Sequence, residues 1–140
     1  MALTEETNSG VRLELIDASR LHIHEHVQPD LLDRTREEIR REGCLRKPIL
    51  VADRDLVILD GHHRFQALVQ LGCRRIPAYV VDYRSDVVEV DVWPDAVVRE
   101  VTKDEVIRRG LSGDPFPPKT SRHTVLVPLL DRPIDLRDLV

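Results

Sequence analysis

The chain has 140 residues, 33% of them charged and 41% hydrophobic, with a formal net charge of −4. That balance excludes a disordered low-hydrophobicity segment and gives no general electrostatic reason to bind nucleic acid. No stretch approaches the roughly 18 apolar residues of a membrane span, and the length fits one domain.

In chain order, residues 1–10 (MALTEETNSG) read as a flexible leader, too polar and acidic for a secretory signal. "VRLELI" (11–16) alternates and predicts a strand. "DASRLHIHEHV" (17–27) has no regular period. "QPDLLDRTREEIRREG" (28–43) predicts a helix: Pro29 suits its first turn, acids come early, basic residues late, and Gly43 stops it. Its apolar stripe is Leu31, Leu32, Thr35 and Ile39, and the run Arg34–Arg41 reads as an exposed salt-bridged face. "KPILVADRDLVILD" (47–60) is a hairpin around Asp53-Arg54-Asp55. "GHHRFQALVQLG" (61–72) predicts a helix with Phe65, Leu68 and Val69 on its buried face. "IPAYVVDY" (76–83) and "VVEVDVW" (87–93) are strands, and "TKDEVIRRG" (102–110) is a helix opened by Thr102 and Glu105. Three prolines in "DPFPPKTSRH" (114–123) argue against regular structure there. A last strand (124–127) precedes a proline-broken C-terminal tail, 128–140. Strands and helices mix without βαβ alternation, so the fold class is α+β. Cys44 and Cys73 lack C-x-x-C spacing and read as free thiols of a cytoplasmic protein.

The stretch "ILDGHHRFQAL" (58–68) carries the most chemistry. Asp60, Gly61, His62, His63 and Arg64 fall where a strand meets a helix. A helix start leaves about four backbone N–H groups unpartnered and carries partial positive charge. Gly61 lets a ligand approach that backbone, and Arg64 adds a forked donor for phosphate oxygens. The combination predicts an anion site with phosphate as its tenant. A carboxylate beside a phosphate needs a cation between them, so Asp60 implies Mg²⁺ or serves as a base. His62 and His63 can donate hydrogen bonds to phosphates or to a substrate hydroxyl. The competing reading makes Asp60 a helix cap and the His-His-Arg trio a solvated first turn.

Glu25 sits between His24 and His26, where a carboxylate near an acceptor hydroxyl would orient it or take its proton. From the residues alone it reads more readily as a solvated loop acid. His22, His24 and His26 alternate and would share one face of a strand. Without a cysteine or a fixed acid they read as surface residues rather than zinc ligands. Trp93, followed by Pro94, suits the wall of a small-molecule pocket or the core. Lys119, Thr120, Ser121, Arg122 and His123 follow Pro117-Pro118 and form a recognition set for an anion, on a loop stiffened before binding.

"VILDGHHRFQALVQLGCRRIPAYVVDY" resembles the core of the ParB/sulfiredoxin-like superfamily, and the Asp-Gly-His-His-Arg form is similar to the free L-serine kinases within it. "HEHV" (24–27), "VWPDA" (92–96) and "FPPKTSRH" (116–123) match further segments in order, so the resemblance spans about residues 12–127. It implies a single compact catalytic domain over 11–127, a mixed sheet with flanking helices. It implies transfer of a phosphoryl group from ATP or ADP to the hydroxyl of free L-serine, with Mg²⁺. Glu25, Asp60 and His63 would be catalytic, with Asp60 nearest the metal. Gly61, His62, His63 and Arg64 would hold nucleotide phosphates. Trp93 and Lys119, Thr120, Ser121, Arg122 and His123 would hold the amino acid. The chain departs from the pattern in being short after the tryptophan segment, and in carrying Ser121 where a second threonine is expected. A ParB-like nucleotide-binding module without metabolic kinase activity is the second reading. DNA binding is not expected, because no helix-turn-helix region fits after residue 93.

Overall fold

A computed structural model describes residues 4–8 and 10–140. Strands β1 (Thr4–Asn8) and β2 (Val11–Asp17) pair antiparallel, with Thr4 opposite Glu14 and Asn8 opposite Val11. Helix α1 (Pro29–Glu42) carries Pro29 in its first turn and ends at Gly43, whose φ of 73° closes the helix. After the short β3 (Cys44–Leu45), β4 (Ile49–Ala52) and β5 (Ile58–Asp60) make the expected hairpin. Then follow α2 (His62–Gln70), β6 (Arg75–Val81), β7 (Val88–Val92) and α3 (Lys103–Ser112). Thr102 caps α3, its Oγ1 accepting the Glu105 N–H at 3.1 Å. Strands β8 (Ser121–Val125) and β9 (Ile134–Asp135) complete the chain.

The main sheet has the order β1-β2-β6-β4-β5. Its centre is the parallel pair β4·β6, flanked by the antiparallel pairs β2·β6 and β4·β5, so the sheet is mixed. The central strands are apolar without alternation because both their faces are covered. On one face Ile49, Val51, Ile76, Ala78 and Val80 pack with Leu32 and Ile39 of α1 and Leu68 of α2. On the other, Leu50, Ala52, Tyr79 and Val81 pack with Val88, Val106 and Phe116. Strands β7 and β8 form a separate antiparallel ribbon, with Val88 opposite Val125 and Val92 opposite Ser121. This is the α+β arrangement, a mixed sheet with flanking helices.

Four local expectations need correction. Residues 4–8, expected in a loose leader, form β1, an edge strand that needs no apolar pattern because it is held by backbone pairing; residues 1–3 and 9 lie outside the described residues. On α2 the buried residues are His62, Ala67 and Leu68, while Val69 is exposed, because the small Ala67 lets the helix lean onto the sheet through that side. Strand β8 begins at Ser121 rather than 124, since nothing beyond Pro118 prevents pairing with β7. The segment 128–140 is not a loose tail. It pairs with β3 through β9, and Leu139 is fully buried, its carbonyl accepting the N–H groups of Arg74 and Arg75 at 2.7 and 3.0 Å.

Candidate functional site

Strand β5 ends at Asp60, and the chain turns into α2 through Gly61 at φ +100°. A Cβ at Gly61 would lie 2.7 Å from Ile49 Cγ2 and 2.8 Å from Arg64 Nη2. Only glycine fits this turn, both for its dihedral and for its space. The residues around the turn line an open cavity of about 630 Å³, whose wall includes Glu25, Asp60, Gly61, His62, His63, Arg64, Trp93, Lys119, Ser121, Arg122 and His123. Residues far apart in sequence thus share one recess, which also takes Leu31 and Thr35 from α1 as a wall.

Glu25 arrives by an extended segment threaded between two elements. His22 bridges Val57 in parallel, and Glu25 bridges Phe116 in parallel, with Phe116 N–H donating to His24 O and His26 N–H to Phe116 O, both at 2.8 Å. The Glu25 carboxylate then faces three successive backbone N–H groups. Its Oε2 accepts from Lys119 N–H at 3.1 Å, and its Oε1 from Thr120 N–H at 3.2 Å and Ser121 N–H at 2.8 Å. Lys119 adopts φ +57°, a left-handed conformation for a non-glycine residue, and this turns the amides toward one point. Burial pushes the Glu25 carboxyl above its ordinary range, and these hydrogen bonds oppose the shift.

Three histidines stand behind the carboxylate. The ring of His24 is fully buried, 4.7 Å from that of His62 and 5.7 Å from that of His123. His24 Nδ1 lies 2.6 Å from Ile58 O, and its Nε2 lies 2.7 Å from Ser121 Oγ. His62 Nε2 accepts the His24 N–H at 3.2 Å, and His123 Nε2 is 2.8 Å from the Tyr83 hydroxyl. Burial holds His24 down to about 4 and His123 down to about 3, and it lowers His62 in the same direction. All three are neutral near pH 7. His63 is less enclosed, and its Nε2 accepts the Gln28 N–H at 3.0 Å, so its Nδ1 carries the hydrogen.

The expectation of His22, His24 and His26 on one face is corrected here: His24 is buried while His22 and His26 are exposed, because the segment is pinned by two isolated bridges rather than a regular ladder. Thr120 is a second correction. It is fully buried and absent from the cavity wall, its hydroxyl donating to Pro117 O at 2.7 Å, so only its backbone serves the site. Arg64 supports the turn as well as facing it. Its Nη1 donates to Lys47 O at 2.8 Å and to Pro48 O at 3.1 Å, while Nη2 lies 3.9 Å from Asp60 Oδ2. Trp93 fixes the opposite wall: its indole N–H donates to Ser121 O at 3.0 Å, and the Arg122 guanidinium lies 5.2 Å from the ring centre.

Among the described residues no three His, Cys, Asp or Glu side chains group as a ready metal cage. Asp60 is instead a single, well-exposed carboxylate at the cavity mouth. That fits Mg²⁺, which binds through one or two carboxylates plus phosphate oxygens and water. No helix of the described residues is long and apolar enough to cross a membrane.

The ParB N-terminal domain profile matches residues 2–92. An ATP-dependent L-serine kinase of Staphylothermus marinus is 36% identical over 104 residues, 69% of this chain and 41% of that protein. A ParB-like protein of Sulfolobus acidocaldarius is 36% identical over 110 residues, 75% of this chain and 54% of that protein. The chain thus spans about half the length of the curated relatives it matches. A solved free serine kinase in complex with AMP superposes with a TM-score of 0.82 at 19% identity, over 90% of this chain and 92% of that one, a likeness of fold.

Proposed function

The chain belongs to the ParB N-terminal domain family, and from that premise we propose that it is a kinase of free L-serine, using ATP or ADP to form O-phospho-L-serine. The observation that carries this reading is the convergence of Glu25, the Asp60–Arg64 turn and the Lys119–His123 segment on one open cavity. A phosphoryl donor and a hydroxyl acceptor need such a shared recess, since catalysis of this transfer is mainly positioning and charge neutralisation. The relative from Staphylothermus marinus, named an ATP-dependent L-serine kinase, supports the same reading.

In this reading the nucleotide phosphates lie at the amino end of α2, against the Gly61 backbone. His62 borders them as a wall residue, His63 offers its Nδ1–H, and Arg64 offers its second guanidinium nitrogen. Asp60 would hold Mg²⁺ beside the phosphates, and the ion would neutralise their charge. Lys119 and Arg122 face the acceptor side with their positive charge, suited to the serine carboxylate or the moving phosphoryl group. Trp93 and His123 bound that side. Glu25 orients the serine hydroxyl or takes its proton.

Phosphorus NMR on the full chain with Mg²⁺, L-serine and either ATP or ADP tests the proposal. Phosphoserine that disappears in Asp60→Ala is the expected result. The second reading, a ParB-like nucleotide module, draws on the relative named ParB-like protein. Nucleotide binding without phosphoserine, together with salt-sensitive DNA binding, would favour it.

A further inference from the structure

The chain of contacts behind Glu25 is one proton short. Ile58 O can only accept, so His24 Nδ1, 2.6 Å away, must carry a hydrogen. A neutral His24 then presents a bare Nε2 to Ser121 Oγ at 2.7 Å. Ser121 Oγ also lies 3.0 Å from Glu25 Oε1. The hydroxyl has one hydrogen and two partners that both need it. With Glu25 ionised and His24 neutral, one of the two contacts has no proton in it. With one more proton on the chain, every contact becomes a hydrogen bond.

We propose that Glu25, Ser121 and His24 form one proton-sharing chain that takes up the hydroxyl proton of the phosphoryl acceptor, with Glu25 as its entry, Ser121 Oγ as its bridge and His24 Nε2 as its far end. The inference rests on the kinase reading above and deepens it. In the step, the acceptor O–H bond breaks and its proton arrives on the Glu25 carboxyl. Once that proton sits on Oε1 it passes to Ser121 Oγ, while the hydrogen already on Ser121 passes to His24 Nε2. Glu25 is again a carboxylate, His24 is an imidazolium, and no atom or charge is left over. The acceptor oxygen attacks phosphorus, and the reverse shift returns the proton to solvent after the product leaves. Glu25 is the catalytic residue of this chain; Ser121 and His24 are positioning residues that act through it.

The surroundings suit the assignment. Burial lowers His24 and raises Glu25, which removes the preference an exposed imidazole has over an exposed carboxylate for a proton, so one proton can be shared between the two ends. His62 on α2 and His123 on β8 face the His24 ring, His123 backed by Tyr83. Lys119 holds Glu25 through its N–H, and Asp60, His63, Arg64 and Arg122 share the cavity wall. A threonine at residue 121 keeps the bridging hydroxyl and an alanine removes it.

The test is an NMR titration of the full ligand-free chain carrying ¹⁵N-histidine and ¹³C-glutamate. His24 should hold its hydrogen on Nδ1 at neutral pH. On acidification, its Nε2 signal and the Glu25 carboxyl signal should move together, in the parent chain and in Ser121→Thr. In Ser121→Ala the two midpoints should separate by about one pH unit or more. Should that variant fail to fold, Glu25→Gln serves, and it should displace the His24 midpoint. Turnover by Ser121→Ala should fall in kcat with KM unchanged, and Ser121→Thr should restore it. A His24 signal indifferent to Glu25, or hydrogen on Nε2 alone, overturns the chain even if serine is phosphorylated. Coupled signals without phosphoserine support the chain and overturn the choice of serine.

Discussion

Replacing Gly61 by alanine perturbs the turn in two separable ways. The residue would have to hold φ +100°, which costs a non-glycine residue about 1–3 kcal/mol. Its Cβ would also stand 2.7 Å from Ile49 Cγ2, 2.9 Å from Ile49 Cβ and 2.8 Å from Arg64 Nη2. Ile49 is fully buried at the centre of the sheet and cannot step aside, so overpacking adds about 1–3 kcal/mol. The sum is about 2–6 kcal/mol, a large share of the roughly 5–15 kcal/mol stability of a small domain. Gly113→Ala is the control: its φ is +74°, but a Cβ there meets nothing within 4 Å, so only the dihedral cost remains. Urea melts of both variants measure the difference, which is the steric contribution alone. Calorimetry with ADP and Mg²⁺ should show binding lost in Gly61→Ala and kept in Gly113→Ala. Equal midpoints for the two variants would refute the claim that close packing at Gly61 shapes this turn.

Glu25→Gln should reduce phosphoserine formation at least about 100-fold, with nucleotide affinity kept, by steady-state kinetics and calorimetry. The same change turns an NH₂ toward the amides of Lys119–Ser121 and should destabilise the domain by about 1–3 kcal/mol in urea melts; an unchanged melt would mean the loop does not depend on that carboxylate. The buried histidines set a pH dependence. His24 has a folded-state pKa below its unfolded value, so its contribution is present above about pH 6.5 and is lost as pH falls toward about 4, at about 1.4 kcal/mol per pH unit. Glu25, raised on folding, acts in the opposite sense, but His24, His62 and His123 are all lowered by burial and outnumber it, so melts between pH 7 and 5 should weaken; a flat profile would contradict neutral buried imidazoles. Leu139→Ala should cost about 2–5 kcal/mol, because the side chain is fully buried in the α1–α2 core; a change under about 0.5 kcal/mol would mean that the C-terminal segment is loose after all.

The sequence displayed those features that depend on period and punctuation. The apolar runs at 49–52 and 76–81 marked strands, and Pro29, Gly43 and Thr102 marked helix ends. The strand-to-helix turn at Asp60–Arg64 stood out because acid, glycine, imidazoles and guanidinium crowd five positions between two apolar runs. What escaped depended on contacts distant in sequence. Nothing local says that His24 is buried and His22 is not, since that follows from the pairing of residue 25 with residue 116. Thr120 reads like its neighbours until the strained backbone at Lys119 turns its side chain inward. The edge strand at 4–8 carries no apolar signal, and it follows from backbone pairing with residues 11–14. The burial of Leu139 was hidden by the prolines before it, which break regular structure without preventing packing.

The central claim is that nucleotide phosphates dock at the amino end of α2, within reach of Glu25 and the loop that holds it. Adding ADP and Mg²⁺ to the ¹⁵N-labelled full chain measures this directly. Large amide shifts are expected at Gly61, His62, His63 and Arg64, with smaller ones at Lys119 to His123 and at the Trp93 indole. Shifts confined to other surfaces, with the Gly61–Arg64 amides unmoved at saturation, would contradict the claim.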